Sequence, residues 1–162
     1  VGPVNENYWA FGDSYNKGAW VLHTLRNAIN TDDLWFSTLK KFAVDNAKSH
    51  VSTETFLSYI IKTTGKNYQL VFYQYFYDHR PPTFEYYQEG EKFYYRWSNV
   101  ISGFAMPLDI DLNGIEKRLE VTKELNSFII PEHSVIHIRD WESLVITKRN
   151  LDLKKIDQLN RY

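Results

Sequence analysis

The chain has 162 residues, a formal net charge of −1 and no cysteine, with hydrophobic residues at 43% and aromatic residues at 17%. The hydrophobic share supports a packed core rather than a disordered tail, in one domain or two small ones. The near-zero charge gives no field favouring nucleic acid or an anionic membrane, the lack of thiols excludes disulfides and thiolate zinc sites, and no apolar run approaches the roughly 20 residues that cross a bilayer. Val1 opens the sequence with neither an initiator methionine nor a signal-peptide pattern, so a fragment or processed product is expected. The 12 Tyr, 10 Phe and 5 Trp suit core and interface packing.

Residues 1–12 read as a loop, with Gly2, Pro3 and Gly12 around the anchoring aromatics Tyr8, Trp9 and Phe11. Asp13 or Ser14 is placed to cap a helix running to about Asn30, with Val21, Leu22, Leu25, Ala28 and Ile29 on its apolar face. Thr31 is a cap for a second helix, with Asp32 and Asp33 in its positive first turn and a stripe of Trp35, Leu39, Phe42 and Ala43. Ser52 or Thr53 caps a third helix, which buries Phe56, Leu57, Ile60 and Ile61 and stops at Gly65. A fourth, about Tyr68 to Tyr77, is expected to bury Val71, Phe72, Tyr75 and Phe76. Arg80-Pro81-Pro82 forbids helix continuation.

Beyond the prolines the apolar period falls to two. Thr83–Tyr87 and Lys92–Trp97 read as a hairpin around Gln88-Glu89-Gly90-Glu91. Met106–Leu112 and Ile115–Val121 flank Asn113-Gly114, a strong signal for a tight hairpin turn. In that hairpin Leu108, Ile110 and Leu112 are expected on the core, with Asp109 and Asp111 facing solvent. Ser127–Ile130, Val135–Arg139 and Leu144–Thr147 complete a set that suits a small antiparallel sandwich. The expected architecture is thus α+β. Residues 1–80 form a helical block, residues 81–150 a β-sandwich, and residues 151–162 a tail or short helix. The short junction favours a packed interface over free swinging.

One stretch carries chemistry. Tyr15-Asn16-Lys17-Gly18-Ala19 opens the first helix and Leu22-His23-Thr24-Leu25-Arg26 continues it. Leu34-Trp35-Phe36, Val51-Ser52-Thr53-Glu54-Thr55-Phe56, Thr64-Gly65-Lys66 and Phe72-Tyr73-Gln74-Tyr75-Phe76-Tyr77 follow in order. This series over residues 8–82 resembles the C-terminal part of the thermolysin-like catalytic domain in zinc aminopeptidases of the aminopeptidase N type, the gluzincin metallopeptidases. Many members read Phe-Phe-x-x-Trp at the last motif, and Tyr75-Phe76 departs from that while staying aromatic. Pro82-Thr83-Phe84, Tyr95-Arg96-Trp97 and Met106-Pro107-Leu108 resemble, less specifically, the β-sandwich that follows in that family.

The resemblance implies a peptide-hydrolysing parent that uses zinc, with Tyr15 as the one catalytic residue present. A phenol stays protonated at pH 7 and donates a hydrogen bond to the oxyanion formed when water attacks the scissile carbonyl. Lys17 and Gly18 match the motif and are assigned to helix packing, with Gly18 admitting another backbone. The family's H-E-x-x-H, which binds zinc together with a later glutamate, and its G-x-M-E-N are absent. No zinc is therefore expected on this fragment. Its implied partners are the missing N-terminal catalytic half and a peptide substrate, besides copies of itself that meet through apolar faces left bare. Of the histidines only His133 and His137 are four apart; read as strand, they stand about 13 Å from each other, too far for one metal. His23 reads as a packed or solvent-edge side chain of the first helix.

A different reading makes the chain a non-catalytic module that binds peptide, glycan or protein. Tyr86, Tyr87, Tyr94 and Trp141 of the β block would then form an exposed aromatic platform. Compartment, oligomeric state and residue preference have no signature in the sequence.

Overall fold

The computed structural model describes residues 13–153, the side chains of Asp13 and Ser14 excepted. The expected aromatic loop of residues 1–12, the two alternative caps of the first helix and most of the expected tail lie outside those residues. Four helices come first: α1 (Asp13–Ile29), α2 (Asp32–Asp45), α3 (Thr53–Thr64) and α4 (Gln69–Tyr77). Seven strands follow: β1 (Thr83–Glu89), β2 (Lys92–Ser98), β3 (Leu108–Leu112), β4 (Ile115–Leu119), β5 (Asn126–Ile129), β6 (Ile136–Ile138) and β7 (Ile146–Arg149). A 3-10 turn, Asp140–Glu142, precedes β7. The fold is α+β, with two largely antiparallel sheets.

Local chemistry accounts for the helix ends. The Ser52 side chain accepts the Thr55 amide at 3.2 Å, and Gly65 closes α3 at φ 70°. Asn67 Oδ1 accepts the Gln69 amide at the start of α4. Thr31 holds the expected position before α2 but makes no side-chain cap. Arg26 instead grips Asp32 with two hydrogen bonds of 2.8 and 2.7 Å, orienting a carboxylate in the positive first turn.

Buried stripes fall broadly where helical spacing puts them, but on α3 Ile60 alone is fully buried while Phe56, Leu57 and Ile61 are half-buried, and the other helices bring three corrections. Val21, Leu25, Ala28 and Ile29 are buried on α1, whereas Leu22 at the edge of that stripe is exposed. Trp35 and Thr38 centre the stripe of α2, and Ala43 is rotated out to solvent. Tyr68, Val71, Gln74 and Tyr75 set the inward face of α4, so Phe76 lies exposed and stacks on Phe72 at 5.6 Å.

The four-stranded sheet runs β5-β2-β1-β7 and the three-stranded sheet β4-β3-β6. The β1–β2 turn has positive φ at Gly90 alone of its two central residues, whereas Asn113 (54°) and Gly114 (81°) both lie in the left-handed region, the type I′ pattern. One pairing departs from the expected antiparallel set: β7 lies parallel to β1, Thr83 opposite Ile146. Leu144 and Val145 stay out of the ladder because their backbone is spent elsewhere, on Thr24, Tyr75 and Ser143. The strand accordingly begins at Ile146, whose amide donates to the Pro82 carbonyl.

Helices and strands share one apolar core. At its centre Trp97 meets Phe84 and Phe104 edge-on, at 5.5 and 5.9 Å, and its indole N–H donates to the Met106 carbonyl. Asp109 does not face solvent. It is buried under Arg118, which donates to it at 3.0 and 2.8 Å and reaches the Asn27 carbonyl of α1 with the same guanidinium. The helical block covers that face of the β3–β4 hairpin, which strand alternation alone does not reveal. No described helix is long and apolar enough to cross a membrane.

Candidate functional site

Tyr15 sits in the first turn of α1 and is 72% exposed. The next two residues, Asn16 and Lys17, turn towards a cleft of about 330 Å³, joined one turn on by Trp20. Tyr15 itself stands outside that lining. Gln74 and Tyr75 form the α4 side. The connector from Asp78 to Pro81 forms the rim, and Leu144 closes the far wall. A Cβ at Gly18 would meet no heavy atom within 4 Å among the described residues, so none of them supplies the close backbone approach expected there.

The walls are tied by part-buried polar bonds. Gln74 is fully buried; its Nε2 donates to the Arg80 carbonyl at 2.7 Å and its Oε1 accepts the Ile101 amide at 2.8 Å. The Tyr75 hydroxyl donates to the Leu144 carbonyl at 2.9 Å, and burial pushes its pKa well above that of an ordinary phenol. The Leu144 amide donates to Thr24 Oγ1, which donates in turn to the Trp20 carbonyl.

On the rim, Arg80 donates to Asp78 from its backbone at 2.8 Å and from Nε and Nη2 of its guanidinium. Hydrogen bonds from Arg80 hold the Asp78 carboxyl down at about 2. A carboxylate so committed to its partner is a poor general base. In the sequence Arg80 reads only as part of the Arg80-Pro81-Pro82 helix stop, and Asp78 carries no signal of its own. The available signal was a carboxylate and a guanidinium two residues apart, clamped by two prolines.

The histidines do not gather. His23 lies half-buried on α1, edge-on to Trp20 and beside Asn27. His133 is not in a strand as expected: it sits in a turn with φ 60°, and only Ile136–Ile138 of that stretch is strand, His137 within it. Among the described residues no group of three or more His, Cys, Asp or Glu is placed to hold a metal.

The expected aromatic platform does not form either. Tyr94 is buried, Tyr86 and Tyr87 are partly so, and Trp141 alone of the four is exposed. Tyr87 and Tyr94 are cross-strand partners that stack at 6.5 Å, with Arg149 over one ring and Lys92 over the other.

No protein-family model and no curated protein sequence matches the chain. Among solved structures, 87% of it superposes on aminopeptidase A of Legionella pneumophila, in a complex with aspartic acid, at a TM-score of 0.71 and 18% identity. The likeness gives the chain an aminopeptidase-like fold. The chain spans 18% of that protein's length.

Proposed function

We propose that the chain is a C-terminal fragment of a zinc-dependent metallopeptidase, an aminopeptidase of the gluzincin type that hydrolyses peptide bonds. In this reading residues 1–80 end a thermolysin-like catalytic domain. Residues 81–150 are a β-sandwich that buttresses it, and residues 151–162 are a tail or short helix. The observation that carries the reading is the exposed Tyr15, in the first turn of α1 of a chain with an aminopeptidase-like fold. An exposed phenol at a helix mouth is open to a substrate held by another part of the same protein. There its hydroxyl donates to the carbonyl oxygen as negative charge develops on it.

The described residues of this chain do not fit a zinc ion, since no suitable donor set converges. The metal, and the grip on the substrate amine, belong to the part of the parent that precedes Tyr15. That missing half and a peptide substrate are the proposed partners.

The test is an assay of the full parent and of this chain side by side, on aminoacyl fluorogenic substrates. The parent is expected to turn over and to lose activity to a chelator, while this chain stays at background with zinc added. A parent that cleaves no aminoacyl substrate, or robust turnover by this chain alone, contradicts the reading.

A further inference from the structure

We propose that Thr24 and Asn27 of α1 are positioning residues for Tyr15. Both bond to segment 142–144 of the β region, and together they set where the Tyr15 hydroxyl stands. The inference rests on the reading of Tyr15 as an oxyanion donor and adds the residues through which that donor is aimed.

The contacts form a clamp of two points. Thr24 is fully buried, and its Oγ1 accepts the Leu144 amide at 2.8 Å while donating to the Trp20 carbonyl at 2.8 Å. Asn27 Nδ2 donates to the Glu142 carbonyl. Residues spaced like Thr24 and Asn27 share one face of a helix, and here both meet the same short segment. A single bond would leave the helix free to pivot about it; two fix its axial position and its rotation. The apolar stripe of Val21, Leu25, Ala28 and Ile29 presses α1 onto the core, but hydrophobic burial has no direction, so the hydrogen bonds supply the register. Arg118 of β4 adds a third tie, to the Asn27 carbonyl.

The anchoring segment is itself fixed. The Leu144 carbonyl accepts the Tyr75 hydroxyl of α4 at 2.9 Å, Arg139 grips the Glu142 carboxylate, and the Val145 amide donates to the Ser143 carbonyl at 2.9 Å. Among the described side chains of α1 burial begins at Val21, so Tyr15 stands beyond the packed part of the helix, as on a lever. From Thr24 to Tyr15 that lever is about 13 Å long, and a tilt of about 5° at the clamp moves its end by roughly 1 Å. A misplacement of about 1 Å is enough to cost on the order of 10²-fold in rate.

The experiment has two arms. In this chain without metal, Thr24→Val and Asn27→Ala are expected to move the NMR amide shifts of Tyr15, Asn16 and Lys17, whereas Thr24→Ser, which keeps the hydroxyl, leaves them in place. In the full parent either Thr24→Val or Asn27→Ala is expected to lower kcat at least about tenfold with KM little changed, and Thr24→Ser to retain most of it. Asn27 is half-buried, so Asn27→Ala decides the matter should Thr24→Val fail to fold. In a Tyr15→Phe background the same substitutions should change kcat less than about twofold, since the group they aim is gone. A role in stability alone would lower kcat by the same factor in both backgrounds. That result, unmoved amide shifts, or unchanged turnover by both variants overturns the proposal. Unchanged kcat in Tyr15→Phe itself contradicts instead the oxyanion-donor reading, and the positioning role falls with it.

Discussion

Leu144, just ahead of β7, donates its amide to Thr24 Oγ1 of α1 at 2.8 Å. Its carbonyl accepts the Tyr75 hydroxyl of α4 at 2.9 Å. Two helices therefore hold one backbone unit of the β region, and that unit is also a wall of the cleft. The helical and β parts are registered against each other by polar bonds as well as by apolar packing.

Thr24→Val keeps the side-chain shape and leaves the part-buried Leu144 amide without an acceptor. Tyr75→Phe leaves the carbonyl without its donor. Each is expected to cost about 1–3 kcal/mol in urea unfolding. The two losses should not add, because both mutations release the same residue.

Asp109 and Arg118 form a second tie, with Arg118 reaching Asn27 of α1. Arg118→Met strands a buried carboxylate, and a loss on the order of 3 kcal/mol is expected. Adding Asp109→Asn should restore part of it. A single mutant as stable as the parent chain would show that the pair contributes nothing to the junction.

Asp78 supplies a pH dependence. Its folded-state pKa lies at about 2, below the roughly 3.9 of an unfolded chain, because Arg80 donates to the ionised form. The native state therefore binds fewer protons than the unfolded state between those values. The pair's contribution is complete above about pH 4 and is lost as pH falls towards 2. Carboxyl NMR should place Asp78 near 2 in the natural chain and near the unperturbed value in Arg80→Gln.

Several large side chains stand exposed on the helices: Phe36 and Val44 on α2, Tyr73 and Tyr77 on α4. Apolar surface of this kind drives association when its usual cover is absent. Light scattering of the isolated chain is expected to show mass rising with concentration. A monomer throughout would contradict this.

The helical half was legible because its signals are local. Ser52 and Gly65 mark the ends of α3, and spacing alone picks out Val21, Leu25, Ala28 and Ile29. The Asn113-Gly114 turn was legible for the same reason. What escaped depends on distant partners. Strand alternation assigns Asp109 to the outside and has no means of knowing that α1 covers that face. The parallel pairing of β7 with β1 joins segments some sixty residues apart, and no local pattern announces it. Of the cleft, Lys17 drew notice only as part of a motif. Gln74, Asp78 and Arg80 gain their roles from where α4 ends relative to Ile101 and Pro81, a tertiary fact.

The central claim is that the hydroxyl of Tyr15 steadies charge in a reaction completed by another part of the same protein. The direct measurement is kcat and KM of the full parent carrying Tyr15→Phe, which keeps the ring and removes the donor. A fall in kcat of about 10²–10³ with KM little changed is the predicted result. A variant that turns over like the unmodified parent would contradict the account.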